Sequence, residues 1–279
     1  MRTFFVPLVM LMCSAVAVHP RAQSAAPSFE VASIKPNKSG DAATELGFQR
    51  GGRFRAINET LWRLIGEAYA TSSALPRFQM FGGPAWIDAD RFDVEAVPEG
   101  SPDADQGHAM LRTLLADRFR LIVHRETREL PIYNLVRARA NGSLGPQLHS
   151  SNVDCAARRA AAGTVPIPLS GQPGSCGVRF GRGRSSATGM TMPQLAEIAL
   201  SRSVSRPVVD RTGLDGAFDW ILEWTPDQQP PAGNEPVSID PNHPSIFAAI
   251  QEQLGLKLEP ARGPVAVLVI DRAEHPTGD

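Results

Sequence analysis

The residues of this chain that could do acid–base, nucleophilic or metal chemistry are scattered rather than gathered. Six histidines are present, and His108, His124, His149, His243 and His275 follow His19 without an H-E-x-x-H or other close ligand spacing. A zinc or other transition-metal site needs three or four such ligands brought together, so no metal ligand is predicted. There is no G-x-S-x-G elbow, no phosphate-cradling glycine loop and no G-x-G-x-x-G junction. The reading is therefore of no catalytic residue, no cofactor-binding residue and no cofactor. One acid–base arrangement stays open: Asp93 and Asp219 stand at corresponding places in two similar segments, and paired carboxylates can share general acid and base roles.

Other local patterns have plainer readings. Asp210-Arg211-Thr212-Gly213 has the outline of an aspartic-protease or phosphorylated-aspartate loop, but Arg211 interrupts the first and no nucleotide domain accompanies the second. It reads as a turn into Leu214, with Gly213 supplying backbone freedom. Gly181-Arg182-Gly183-Arg184, with Arg179, reads as a solvated linker end. Asn58-Glu59-Thr60 and Asn141-Gly142-Ser143 fit the glycosylation sequon, a short and permissive pattern; Asn58 is read as opening a helix. Trp62, Trp86, Trp220 and Trp224 are read as core.

Cysteine usage points outside the cytoplasm. Arg2, the apolar run Phe4 to Met12 and Ala15-Val16-Ala17 make a leader with a small-residue cleavage site, and Ser24-Ala25-Ala26 is a later alternative. Residues 1–26 are read as a signal peptide, cleaved after about residue 17 to 26 and in any case before residue 29. Its removal leaves Cys155 and Cys176. An even pair in an oxidising compartment predicts a disulfide, contributing about 3 kcal/mol by restricting the unfolded chain. No later segment approaches 18 consecutive apolar residues, so no transmembrane segment is expected after the leader. The formal charge of −1 argues against a nucleic-acid surface.

Any site must be positioned by the elements in between. Phe29 to Ile34 reads as a strand ended by Pro36. A helical period carries Leu61, Leu64, Ile65 and Ala68. Extended segments follow at Phe78 to Phe81 and Phe92 to Val97, around the turn Gly82-Gly83-Pro84. A second helix carries Met110, Leu111, Leu114 and Leu115. Phe119 to Val123 and Ile132 to Val136 then read as two paired strands about Glu129-Leu130-Pro131.

Residues 140–178, rich in Ala, Gly, Ser and Pro, read as a linker holding both cysteines. After it the first pattern returns. Thr191-Met192-Pro193-Gln194 has capping-box form, and Met192, Leu195, Ala196 and Ala199 repeat the spacing of the first helix. Ala217-Phe218-Asp219 echoes Arg91-Phe92-Asp93, a helix at 244–254 stands where 106–117 stood, and Leu256-Lys257-Leu258 matches Phe119-Arg120-Leu121. In the second helices Leu111 and Phe247 are expected to point inward.

Phe29-Glu30-Val31-Ala32-Ser33-Ile34-Lys35-Pro36, Gly82-Gly83-Pro84-Ala85-Trp86 and Leu114-Leu115-Ala116-Asp117-Arg118-Phe119 resemble an exported family of unknown function expanded in acidobacteria. So do Val209-Asp210-Arg211-Thr212-Gly213-Leu214, Gly216-Ala217-Phe218-Asp219 and Gln251 to Leu258. Together they cover nearly the whole mature chain. Some similar modules are joined to membrane-embedded metallopeptidase sensors. That zinc motif is missing here, so the resemblance implies no peptidase activity.

The expected fold is α+β: two related strand-helix-strand-strand-helix-strand-strand repeats, with helices packed on largely antiparallel sheets. The first repeat with its N-terminal strand spans 28–139, the linker 140–178 and the second repeat 179–275. The expected function is a non-enzymatic, periplasmic or secreted binding module for a protein, peptide or envelope glycan. The alternative is an envelope hydrolase built on Asp93 and Asp219.

Overall fold

The computed structural model describes residues 26–71, 73–155, 157–158, 176–226 and 244–276. The expected leader, up to residue 25, lies outside the described residues, as does His243.

The first lobe is a four-stranded antiparallel sheet with two helices. Its strands are β1 (Val31–Pro36), β2 (Glu45–Phe48), β3 (Phe54–Thr60) and β5 (Arg91–Val97), in the order β1-β5-β3-β2. On β5, Phe92, Val94 and Ala96 are buried while Arg91, Glu95 and Val97 are exposed, the two-residue period of a half-covered strand. Helices α1 (Leu61–Ala68) and α2 (Ala104–Phe119) cover that inner face. Leu61, Leu64, Ile65 and Ala68 of α1 join Leu111, Leu115 and Phe119 of α2 over Phe54, Phe92 and Val94. Asp103 and Gln106 form a capping box at the start of α2, and Arg120 ends it in a left-handed conformation.

The second lobe has corresponding parts. Strands β7 (Leu148–Ser150), β8 (Gly177–Gly181), β9 (Arg184–Met190) and β11 (Phe218–Glu223) form a sheet in the order β7-β11-β9-β8. Position by position this is the order of the first sheet. Helices α3 (192–203) and α4 (246–254) cover it with Met192, Leu195, Ala199, Ile246, Ala249 and Ile250, over Phe218, Trp220 and Leu222. The capping box read from Thr191 and Gln194 is formed. Both helices contain a π-helical stretch, over Leu195–Leu200 and Ile250–Leu254. In α3, Ser201 donates its hydroxyl to the Ala196 carbonyl five residues back (2.9 Å) and accepts the N–H of Val208 (2.8 Å).

A third sheet joins the lobes. Strand β6 (Ile122–Arg137) pairs antiparallel with β12 (Leu256–Arg272) along nearly their whole lengths. Short strand β4 (Met80–Gly82), from the first half, runs parallel to β12; β10 (Val208–Asp210), from the second half, runs parallel to β6. Each half therefore lends a strand to the other's long strand. Otherwise the sheets are antiparallel, as expected.

Four expectations need correction. The segments read as two strands paired about Pro131 are one continuous strand, β6, with Phe119 in the preceding helix. Proline weakens a strand by removing a donor, but only where that donor would face a partner. Tyr133 sends its N–H outward to the Pro207 carbonyl (2.9 Å), so its pair with Pro260 is a non-hydrogen-bonded one. Pro131–Arg262 and Pro264–Glu129 fall at the same alternate register, with their missing donors on the open side. Second, the segment read as a linker supplies β7 and the first two residues of β8, and Gly181 and Arg184 close a hairpin. Third, Phe247 is 44% exposed and meets Tyr133 edge-on (5.6 Å), so Ile246, Ala249 and Ile250 form the inner face of α4. Fourth, Asn58 does not open a helix. It sits at the end of β3 with φ 54°.

Candidate functional site

The two carboxylates singled out from the sequence are not brought together. Asp93 lies on β5 of the first sheet, where one oxygen accepts the Asn58 N–H (2.8 Å) and the Asn37 amide (2.7 Å). Asp219 lies on β11 of the second lobe's sheet, where it accepts the N–H of Gly189 (2.8 Å). Each fixes a backbone N–H at a break in strand register, between Ala56 and Glu59 in one lobe and between Phe218 and Trp220 in the other. They work as separate bulge clamps, not as one acid–base pair.

His124 is on the central sheet, hydrogen-bonded through Nδ1 to Asp271 (2.8 Å), with Nε2 3.6 Å from Glu126. The Asp271 carboxylate holds its pKa above the ordinary imidazole value, with Glu126 adding to this. Arg128, bonded to Glu126, lowers that carboxyl's pKa and stacks 4.4 Å over Phe81. All four groups satisfy one another on an exposed face. His108 is 3.8 Å from Glu67, and His275 stacks on Trp86 (4.1 Å) while bonding Asp90 (2.7 Å). Among the described residues no three His, Cys, Asp or Glu side chains are grouped to hold a metal ion. The Asp210 run is the turn it was read as: Asp210 accepts the N–H of Thr212, whose hydroxyl accepts the N–H of Leu214. Asn58 is buried and its amide donates to the Asp41 and Ala43 carbonyls, so its side chain is engaged inside the protein.

What the structure assembles instead is a hollow of about 700 Å³ on the outer face of the second lobe's sheet, lined by both polar and apolar groups. Strand alternation builds it. Phe218, Trp220 and Leu222 of β11 are buried, which turns Asp219, Ile221 and Glu223 outward. Ser185 and Ala187 of β9 are buried, which turns Arg184, Ser186 and Thr188 outward. His149 on β7 stands directly across from Asp219, and Arg179 on β8 across from Ser186. Gln147 completes the lining and Arg184 pairs with Glu223 (3.1 Å). Phe180, opposite the buried Ser185, turns to the other face, where Arg202 lies 6.0 Å over its ring. The group is an array of hydrogen-bond donors and acceptors on one face of the sheet. Sequence reasoning had no spacing from which to gather these residues, because they come from four strands.

Cys155 and Cys176 are disulfide-bonded, as expected. The bond borders a second hollow of about 460 Å³, lined by Ser151 to Cys155, Gly189 to Thr191, Gln194 and Ala217.

Residues 63–273 match the family described as a protein of unknown function, DUF3738. The chain belongs to that family. The match runs from α1 to the end of β12, so the DUF3738 region takes in both helical layers, the central ribbon and the hollow. No curated protein and no solved structure matches this DUF3738 chain. Among its described residues no helix is long and apolar enough to cross a membrane.

Proposed function

We propose that this DUF3738 chain is an extracytoplasmic binding module whose recognition surface is the hollow on the second lobe's sheet, and that its ligand is a hydroxyl-rich envelope glycan. The observation that carries the reading is the composition of that face. Gln147, His149, Arg184, Ser186 and Thr188 offer hydrogen-bonding groups, and Ile221 is its partly exposed aliphatic side chain. Protein partners are usually gripped by aromatic anchors at the centre of an interface. Here the exposed aromatic of β8, Phe180, pairs with the inward-facing Ser185 and turns to the helix side, where Arg202 lies 6.0 Å over its ring, so the hollow presents hydrogen-bonding groups rather than an aromatic anchor. A protein or peptide ligand is the competing outcome. Placement outside the cytoplasm is supported by the leader and is compatible with the disulfide.

Co-sedimentation of the mature protein with purified cell-wall sacculi tests this. The wild type is expected to pellet, and the double variant His149→Ala with Arg184→Ala is expected to stay in the supernatant. Arg55→Ala, on the outer face of the first sheet, is expected to pellet as the wild type does. A wild type that remains soluble, or a double variant that pellets equally, overturns the glycan reading.

A further inference from the structure

The two lobes fasten their corresponding loops differently. In the first, residue 58 at the end of β3 is an asparagine in the left-handed region, and its amide ties down the loop after β1 through the Asp41 and Ala43 carbonyls. In the second, the corresponding residue is Gly189, with φ 68° and its N–H likewise held by an aspartate. It has no side chain to tie anything down. The space is taken by sulfur: a Cβ built on Gly189 would lie 2.2 Å from Cys155 Sγ and 3.2 Å from the Val153 carbonyl. Cys155 thus packs the loop after β7 against β9, and its bond to Cys176 anchors the residue immediately before β8.

The edge strands differ in the same sense. β2 is anchored by Phe48, which packs on Phe54 (5.0 Å) and His108 (5.4 Å), and by the Glu45–Arg55 ion pair (2.9 Å). β8, an edge strand like β2, begins and ends in glycine, packs only Val178 against the second core, and leaves Phe180 half exposed with Arg202 6.0 Å over its ring. The disulfide holds the start of this strand.

We infer that the Cys155–Cys176 disulfide is a redox latch on the second lobe alone: its reduction loosens β8 and the loop after β7 while the first lobe keeps its structure. The reaction is thiol–disulfide exchange with a dithiol reductant. A reductant thiolate attacks the sulfur of Cys176, the less buried of the two, the protein S–S bond breaks, and Cys155 leaves as a thiolate that takes up a proton. The second reductant thiol then attacks the mixed disulfide and releases the Cys176 thiol. The protein disulfide gains two electrons, and the dithiol is oxidised to its own disulfide. Because Arg179 belongs to β8, the latch also governs the hollow; that consequence rests on the proposed binding function, whereas the loosening itself does not.

Amide hydrogen exchange on the intact mature protein, with and without a dithiol reductant, reads the loosening without any ligand. Exchange across 148–155 and 177–190 is expected to speed up about tenfold or more on reduction, while 31–36, 45–60 and 91–97 hold their rates. Reoxidation should restore protection, and the double variant Cys155→Ser with Cys176→Ser should match the reduced wild type. A second variant, Asn58→Ala, should loosen 37–48 with no reductant present. Should reduction leave the second lobe unchanged, or release both lobes alike, the latch is refuted. A protein that shows the latch but fails to bind sacculi would refute the glycan reading and leave the latch standing.

Discussion

Asp219 accepts the backbone N–H of Gly189 at 2.8 Å, and Asp93 accepts that of Asn58 at the same distance. Each aspartate follows the buried phenylalanine of its strand, Phe218 or Phe92, and each recipient is a left-handed residue shortly before a helix. An aspartate facing outward on a strand is ordinary. Two of them clamping corresponding bulges explain why the residues around Phe92-Asp93 and Phe218-Asp219 look alike.

Replacing either aspartate by alanine leaves a bulge N–H without its acceptor, at a cost of about 1–3 kcal/mol. Urea unfolding of Asp93→Ala and Asp219→Ala should show losses in that range. No change in midpoint would mean that the clamps contribute nothing to stability.

Phe92→Ala and Phe218→Ala should each cost about 3–5 kcal/mol in the same measurement, since both rings are buried beneath helices. Phe92 also meets Phe119 edge-on at 5.1 Å. A loss below about 1 kcal/mol at either site would contradict a core role.

Gly189→Ala brings a Cβ against Cys155 Sγ and places an L-residue at positive φ. Overpacking and the left-handed conformation together should cost about 2–4 kcal/mol. Asn58→Gly has the opposite balance: it relieves the backbone but discards two side-chain hydrogen bonds, for a net loss of about 1 kcal/mol. Thermal or urea unfolding of the two variants should rank them in that order.

His124 should titrate above the usual imidazole range, and Asp271→Asn should bring it down, as followed by the ring proton shifts in NMR. A raised pKa means that the folded protein binds the proton more tightly than the unfolded chain does. Its contribution to stability is complete below about 6.5 and disappears as pH rises through the folded value. The ring is exposed, so the effect on overall stability should be small. An unshifted His124 would show that the Asp271 contact is not kept in solution.

Much of this architecture was legible in local pattern. The period of Leu61, Leu64, Ile65 and Ala68, its return at Met192 to Ala199 and the Thr191 capping box each depend on neighbours in sequence, and the cysteine pair on a simple count. Pro131 was misleading because the orientation of its missing donor is fixed by a partner strand far away in sequence. Phe247 was misleading because a helix in that place was assumed to turn the same residue inward. The hollow was invisible for a related reason. His149, Arg179, Ser186 and Asp219 become neighbours only through the pairing of four strands, and no residue type among them announces it.

The exchange of β4 and β10 between the halves bears on how the molecule is made. Met80–Gly82 finds its partner only at Leu268–Ile270, almost at the other end of the described chain. During synthesis the first half can bring α1 and α2 onto its own sheet, yet it emerges with β4 unpaired and β6 lacking both neighbours. Those edges are the kind that invite pairing with another copy. β10 closes one edge of β6, and β12 closes the other together with β4, so a chain stopped short of residue 256 presents a half-built sheet rather than a smaller finished protein.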